Sequence, residues 1–340
     1  MLTRRCPLQK SYAPDYLGFS LLLLSYILVR FRFWPPCIRG IKGNNSLRAA
    51  TQIQFFVEPF HRMFSVNDLR ISFPFAQVER VPLALDFVYV LFVPLALMVA
   101  YNLASRAALH KQHVTVLGLA IALILTAFLT DVVKNMVGRA RPDLLARCMP
   151  DPKLLRDAPG PLVSIDVCTQ THHHTLHDGW RSFPSGHSSF SFAGLGYLSL
   201  FLAGQMRIFA HGAGDGDAGD GSRAPTIGEH TEKLVRGDLM RALLCLAPLL
   251  GATMIAISRC QDYRHDVEDV CVGAILGSVV AYWSYRRYWP RLSSSRCAEP
   301  YASPPGSEAV AARYGRVRDE EEGAGPGQNV GFGLDEFNRP

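Results

Sequence analysis

Stretches of about twenty residues with almost no polar groups constrain this chain more than anything else in it. Leu83–Leu103 is charged only at Asp86 and interrupted by Pro94, and Val114–Thr130 carries no charge at all. Phe190–Met206, Leu239–Ile257 and Val270–Trp283 follow the same pattern. A helix apolar on every side has no face for water, and about twenty residues is the length that crosses the hydrocarbon core of a bilayer. Leu17–Val29 is apolar but short, and it runs into Arg30 and Arg32. The pattern predicts an all-α fold, a polytopic membrane helix bundle of six transmembrane helices with the first the weakest. Hydrophobic residues make up 49% of the chain. Polar ends dilute the apolar blocks to a mean hydropathy of +0.10.

A net charge of +6 would suit a nucleic-acid partner, but a membrane protein collects basic residues in its cytoplasmic loops. Arg4, Arg5 and Lys10 precede the first span, and Arg106 and Lys111 lie between the second and third. Arg207, Arg223, Lys233 and Arg236 lie between the fourth and fifth, and Arg286, Arg287, Arg291 and Arg296 follow the sixth. All these places share one side when both termini are cytoplasmic. The expected partner is therefore the bilayer, not a nucleic acid. No cleavage site follows Leu17–Val29, which reads as an anchor.

Three regions follow: 1–53, with the first span and an insertion-like segment; 54–290, the membrane domain; and 291–340, a disordered cytoplasmic tail. Residues 30–53 hold Pro35-Pro36 and five Arg or Lys. Their removal would join Leu17–Val29 to Gln54–Val57 at nearly spanning length, so they are either an added loop or an insertion through the first span. The Gly/Asp run within 205–236 is too polar to bury a core and reads as a disordered linker. It has no Glu at the closing position of a calcium loop. The cysteines show no CxxC spacing, so no metal cluster is expected. Cys245 and Cys271 fall inside spans as packing residues. Cys148 and Cys168 share one loop and could pair, although sequence does not set their separation.

Chemistry gathers where the apolar segments end. Lys134 and Arg141 follow the third span, with Pro142 expected to stop the helix. A lysine point charge and an arginine fork both suit phosphoryl oxygens, although cations at a helix C-terminus are favourable for local reasons too. Pro184-Ser185-Gly186-His187 opens the fourth span. A helix N-terminus is a ready anion site, Gly186 allows close backbone approach, and the Ser185 hydroxyl can donate or cap. Ser258-Arg259 closes the fifth span. His265 and Asp269 have the i, i+4 spacing of one helical face, and a carboxylate beside an imidazole makes a usable base or nucleophile. His172-His173-His174 has no carboxylate or cysteine at ligand spacing, and consecutive side chains diverge. It therefore reads as a surface or substrate-mouth feature, with no metal site expected.

The order Lys134-x6-Arg141-Pro142, Pro184-Ser185-Gly186-His187 and Ser258-Arg259-x5-His265-x3-Asp269 resembles the three-part signature of the type 2 phosphatidic acid phosphatase, or lipid phosphate phosphatase, superfamily. The resemblance covers about residues 54–290. The flanks Phe60 … Asp68 … Pro74 and Cys168-Thr169-Gln170-Thr171 … Asp178-Gly179-Trp180-Arg181 resemble fungal or plant diacylglycerol pyrophosphate/phosphatidate phosphatases. The chain departs from the pattern at the 30–53 segment and at Ala140, where many relatives carry proline. The resemblance implies a haloperoxidase-like core and a metal-independent, cofactor-free phosphatase acting on phosphatidate, diacylglycerol pyrophosphate or lysophosphatidate. It implies that His265 attacks phosphorus, Asp269 orients it and His187 protonates the leaving oxygen. Lys134, Arg141, Arg259, Ser185 and Gly186 would bind the phosphoryl oxygens. The site would face away from the cytoplasm, in a vacuolar, endoplasmic reticulum or plasma membrane. Sphingoid-base phosphatases and a non-catalytic scaffold are the alternatives.

Overall fold

The structure is a computed structural model and describes residues 12–30, 58–156, 160–210 and 239–301. The segment 31–53, most of the 205–236 linker and the tail beyond 301 lie outside the described residues. The chain divides into two units, Met1–Gly18 with Ala302–Pro340, and Phe19–Tyr301. The second unit carries the architecture described below.

Helix α1 covers Ala13–Arg30 and is apolar over Ala13–Val29, but shorter than a membrane-crossing helix. Helix α2 covers Leu83–Ala104 and α3 covers Leu109–Val137. Three short helices follow: α4 at Leu144–Cys148, α5 at Pro152–Arg156 and α6 at His173–Asp178. The longer α7, Gly186–Gln205, α8, Leu239–Gln261, and α9, Val267–Tyr288, complete the bundle. Within α2, Val88–Phe92 widens to a π-type turn. The cause is Pro94, which lacks an N–H and whose ring crowds the carbonyl four residues earlier.

Helices α2, α3, α8 and α9 are long and apolar enough to cross a membrane. The six expected spans therefore reduce to four that meet that criterion among the described residues. The expected fourth span, α7, is a full helix but rich in glycine and serine. It packs against α2, α3, α8 and α9, so its sides meet protein and need no apolar coat. The outer surfaces behave oppositely: Leu243, Leu246, Leu250, Met254 and Ile257 project from α8 as a lipid-facing stripe.

Helices α7 and α9 approach more closely than side chains would permit. A Cβ on Gly273 would lie 2.7 Å from Ser185 O, and one on Gly277 would lie 2.1 Å from Ser189 O. Small residues four apart are how helices in membranes bring their backbones together. The contact carries Ser185 N to Asp269 O at 2.9 Å and Ser188 Oγ to Val270 O at 2.7 Å, so the second and third motifs are bolted to each other.

The two ends of the bundle differ. At one end Lys111 Nζ donates to Ala298 O (2.8 Å), as does Gln205 Nε2 (3.3 Å), and Tyr301 N donates to Tyr288 O (2.9 Å). Residues 291–301, expected as the start of a disordered tail, are folded here with Cys297 fully buried. Their turns close the bundle by satisfying Lys111. At the other end the described residues of 58–82, 138–156 and 160–185, with only short helices among them, form a cap around Phe64, Ile71, Leu144, Val163 and Trp180. The pairing left open by sequence is made there, as a Cys148–Cys168 disulfide. All three motifs meet beneath this cap.

Candidate active site

Helix α3 ends at Gly138, four residues before the expected stop at Pro142. Gly138 takes the left-handed conformation (φ 59°), and a Cβ there would sit 1.8 Å from Phe60 O. Glycine is the residue that adopts this αL cap without steric cost. The freed chain then runs beside the approach to α7, through Arg141 N to Gly179 O (2.8 Å) and Ser182 N to Arg139 O (3.1 Å). With Ser185 N bound to Asp269 O as well, α7's approach is tied to both the first motif and the third.

Lys134, Arg141, Gly186, His187, Arg259 and His265 all line one cavity of about 270 Å³. Lys134 lies beside Gly186 and donates to Arg181 O at 2.9 Å. Arg141 grips Asp178, through Nε to the carbonyl (2.8 Å) and a terminal nitrogen to the carboxylate (2.9 Å). Arg259, 1% exposed, pairs with Glu79 (2.8 Å) and Asp262 (3.1 Å). Burying cations without such partners would be prohibitive, and the partners also aim them.

Ser185 and Asp269 stand behind the cavity wall. Ser185 is the N-cap of α7, yet its hydroxyl makes no capping bond. Its Oγ, His187 Nε2 and His265 Nδ1 are buried without a hydrogen-bond partner among the described residues. Native proteins pair almost all such atoms, so His187 Nε2, on a ring that lines the cationic cavity, marks a place for a polar ligand.

His265 and Asp269 do not share a helical face as their spacing suggested. Asp266 caps α9 in a reciprocal capping box with Asp269, leaving His265 in the preceding loop. Its Nδ1 is 3.7 Å from Asp269 Oδ2, beyond a hydrogen bond but near enough to orient the ring. Burial, reinforced by Arg141, Lys134 and His187, holds the His265 pKa well below the ordinary imidazole value. The contact with Asp269 is therefore made by a ring that burial favours in its neutral form.

Sequence reasoning missed the groups that hold these residues. Asp269 receives the Ser182 hydroxyl and Asp266 N (3.1 Å) and pairs with Arg139 at 3.1 Å. Arg139, two residues before Arg141, was legible as a further cation but not as the partner of Asp269. Arg181 pairs with Asp131 (2.9 Å) and lines the cavity, as does Arg264, which reaches Glu79 at 3.1 Å. At Asp178 burial favours the neutral acid, but Arg141 and Arg147 overcome it and hold the pKa far below the usual carboxylate range. Asp178 thus stays ionised beneath Arg141.

The three consecutive histidines diverge as expected. His172 caps α6 by accepting from Thr175 N at 3.3 Å, and His174 reaches the cavity lining. His173 turns toward Glu58, 3.3 Å away. The carboxylate that sequence spacing lacked is supplied from 115 residues upstream.

Buried histidines, ringed cations and long apolar helices together suit a membrane-embedded phosphoryl-transfer site. Residues 115–293 match the PAP2 superfamily, and the chain belongs to that family. It is 38% identical over 273 residues to diacylglycerol pyrophosphate phosphatase 1 of Saccharomyces cerevisiae, covering 78% of this chain and 85% of that protein. The probable diacylglycerol pyrophosphate phosphatase 1 of Schizosaccharomyces pombe is 37% identical over 267 residues, with coverages of 76% and 84%. Lipid phosphate phosphatase 1 of Arabidopsis thaliana is 32% identical over 247 residues, with coverages of 72% and 66%. No solved structure matches the chain.

Proposed function

We propose that this protein is an integral-membrane lipid phosphate phosphatase that hydrolyses phosphatidate or diacylglycerol pyrophosphate through a phosphohistidine. The observation that carries the reading is the convergence of Lys134, Arg141 and Arg259 with His187 and His265 on one cavity. The names of the relatives point to diacylglycerol pyrophosphate and to lipid phosphates. Leu83 and Phe87 from α2 and Phe190 from α7 form an apolar wall beside the cations, suited to the glycerolipid body of a substrate whose phosphate enters the cavity.

The neutral His265 ring attacks phosphorus, forming the P–N bond as the bond to the leaving oxygen breaks. His187 gives that oxygen its proton, leaving diacylglycerol or phosphatidate. The incoming phosphoryl charge favours the protonated form of His187 beforehand. Water then attacks the phosphohistidine, His187 takes its proton, and phosphate departs. Lys134, Arg141 and Arg259 neutralise the equatorial oxygens throughout, and such preorganised charge is the main source of rate in phosphoryl transfer. Fixed cations fill the role of a metal ion. Phosphate release from phosphatidate in detergent micelles should therefore persist in EDTA and be inhibited by vanadate. Loss in EDTA with recovery on adding magnesium would contradict the mechanism.

The same reading places the site on the non-cytoplasmic side of a vacuolar, endoplasmic reticulum or plasma membrane. Support comes from Lys111, Arg207, Arg286 and Arg296, which gather at the end opposite the motifs, and from the disulfide in the cap, a bond that persists in oxidising compartments. Protease protection of tags at both termini and within 205–236 should report the cytoplasm, and a tag within 155–165 the opposite side. A 205–236 tag on the same side as the 155–165 tag would sink this topology.

A further inference from the structure

The cap holds a second cluster of reactive side chains that the phosphoryl chemistry does not use. Glu58 precedes the residues that pack on the end of α3, where Phe60 N donates to Asn135 O at 2.8 Å. His173 and His177 sit one turn apart on α6, the i, i+4 spacing that stacks two side chains on one face. Ligand atoms of Glu58, His173 and His177 all lie within 4.8 Å of one another. His173 Nε2 is 3.3 Å from Glu58 Oε1, close to the edge of about 3.4 Å that a tetrahedron with zinc–nitrogen bonds has. His61 Nε2 lies 2.7 Å from His177 Nδ1, too near for both to bind one ion, and so makes a hydrogen bond.

We propose that Glu58, His173 and His177 form a binding site for a divalent transition metal, zinc in the first instance, with His61 orienting His177. The donor set argues for the metal class. Two imidazoles and one carboxylate are a recurrent zinc set, whereas calcium and magnesium take oxygen ligands. His61 Nε2 is hydrogen-bonded to His177 Nδ1, so the ion would take the other nitrogen of His177 with His61 behind it, as partners behind metal-bound histidines stand. Glu58 and His173 side chains are 39% and 45% exposed, so an ion can enter from solution. Three protein ligands leave a fourth position to water.

The position gives the ion a consequence. It would join the 58–61 segment to α6, whose last residue, Asp178, holds Arg141 in the phosphate cavity, and whose His174 lines that cavity. The ion would act by fixing the cap and would take no part in phosphoryl transfer, so the site stands whether or not the proposed reaction is correct.

The full chain, purified in detergent, stripped with EDTA and dialysed, should bind one Zn²⁺ per chain against a chromophoric chelator. Co²⁺ bound in its place should show d–d absorption without a thiolate charge-transfer band, separating this site from the free cysteines. His173→Ala should abolish this binding. His61→Ala should weaken it about 10–100-fold, and His172→Ala should leave it intact. Glu58→Gln, nearly equal in volume and partly exposed, gives the same test where a histidine variant fails to fold, and should also abolish binding. Zn²⁺ should raise the unfolding temperature of the parent chain and not of Glu58→Gln. Absence of stoichiometric binding, a thiolate band, or equal affinity in Glu58→Gln would overturn the assignment.

Discussion

Replacing His265, the proposed nucleophile, with alanine is expected to leave neither phosphate release nor a trapped phosphoenzyme, a fall of about 10⁴–10⁶, the size of loss on removing the nucleophile of other covalent enzymes. His187 and His174 also line the cavity, and the proposed role of His187 is to move a proton. His187→Ala should fall by about 10²–10⁴ and still accept a phosphoryl group from diacylglycerol pyrophosphate, whose leaving group departs with little need of a proton. Acid-stable handling is unsuitable for a P–N bond, so both variants should be quenched in base with substrate labelled in the terminal phosphate. Label on His265→Ala and none on His187→Ala would exchange the two roles. Label on neither, with both chains folded, would remove the covalent step from the mechanism.

The residues in that experiment were readable from sequence because each lies at the end of an apolar segment, where local rules apply. Alternation of long helices brings the C-termini of α3 and α8 to the same end as the N-termini of α7 and α9, and motif order follows. What could not be read is how the motif residues are held. Arg259 meets Glu79 across 180 residues and Arg139 meets Asp266 across 127, and no periodicity reports such pairs. The same limit hid Glu58 from the histidine run. Helix α7 falls short of the hydropathy of the other long helices for a different reason: a helix surrounded by other helices needs small residues more than apolar ones. At His265 the i, i+4 rule failed because Asp266 starts the helix one residue too late.

Gly277 turns that packing into a second large effect far from any ionisable group. In a helix, alanine is about 0.8–1 kcal/mol more favourable than glycine, so Gly277→Ala would stabilise an isolated α9. In the bundle its new Cβ would stand 2.1 Å from Ser189 O, a backbone atom of α7. Backbone cannot rotate aside, so α9 must withdraw by more than an ångström. Overpacking of this kind costs about 1–3 kcal/mol, more than the propensity gain. The withdrawal also separates the helix that carries His187 from the one that begins beside His265. An ångström of misplacement is enough to cost about 10²-fold in rate, so kcat/KM should fall by roughly that factor in protein that remains folded. Gly196→Ala is the matched control. It adds the same methyl group to α7, where the nearest atom is Ala281 Cβ at 3.7 Å, and it should be neutral or slightly stabilising with full activity. Equal activities for the two alanine variants would mean that the α7–α9 contact does not set the distance between the two histidines. Loss at Gly277 alone would show that a glycine with no chemistry of its own determines the geometry in which the chemistry occurs.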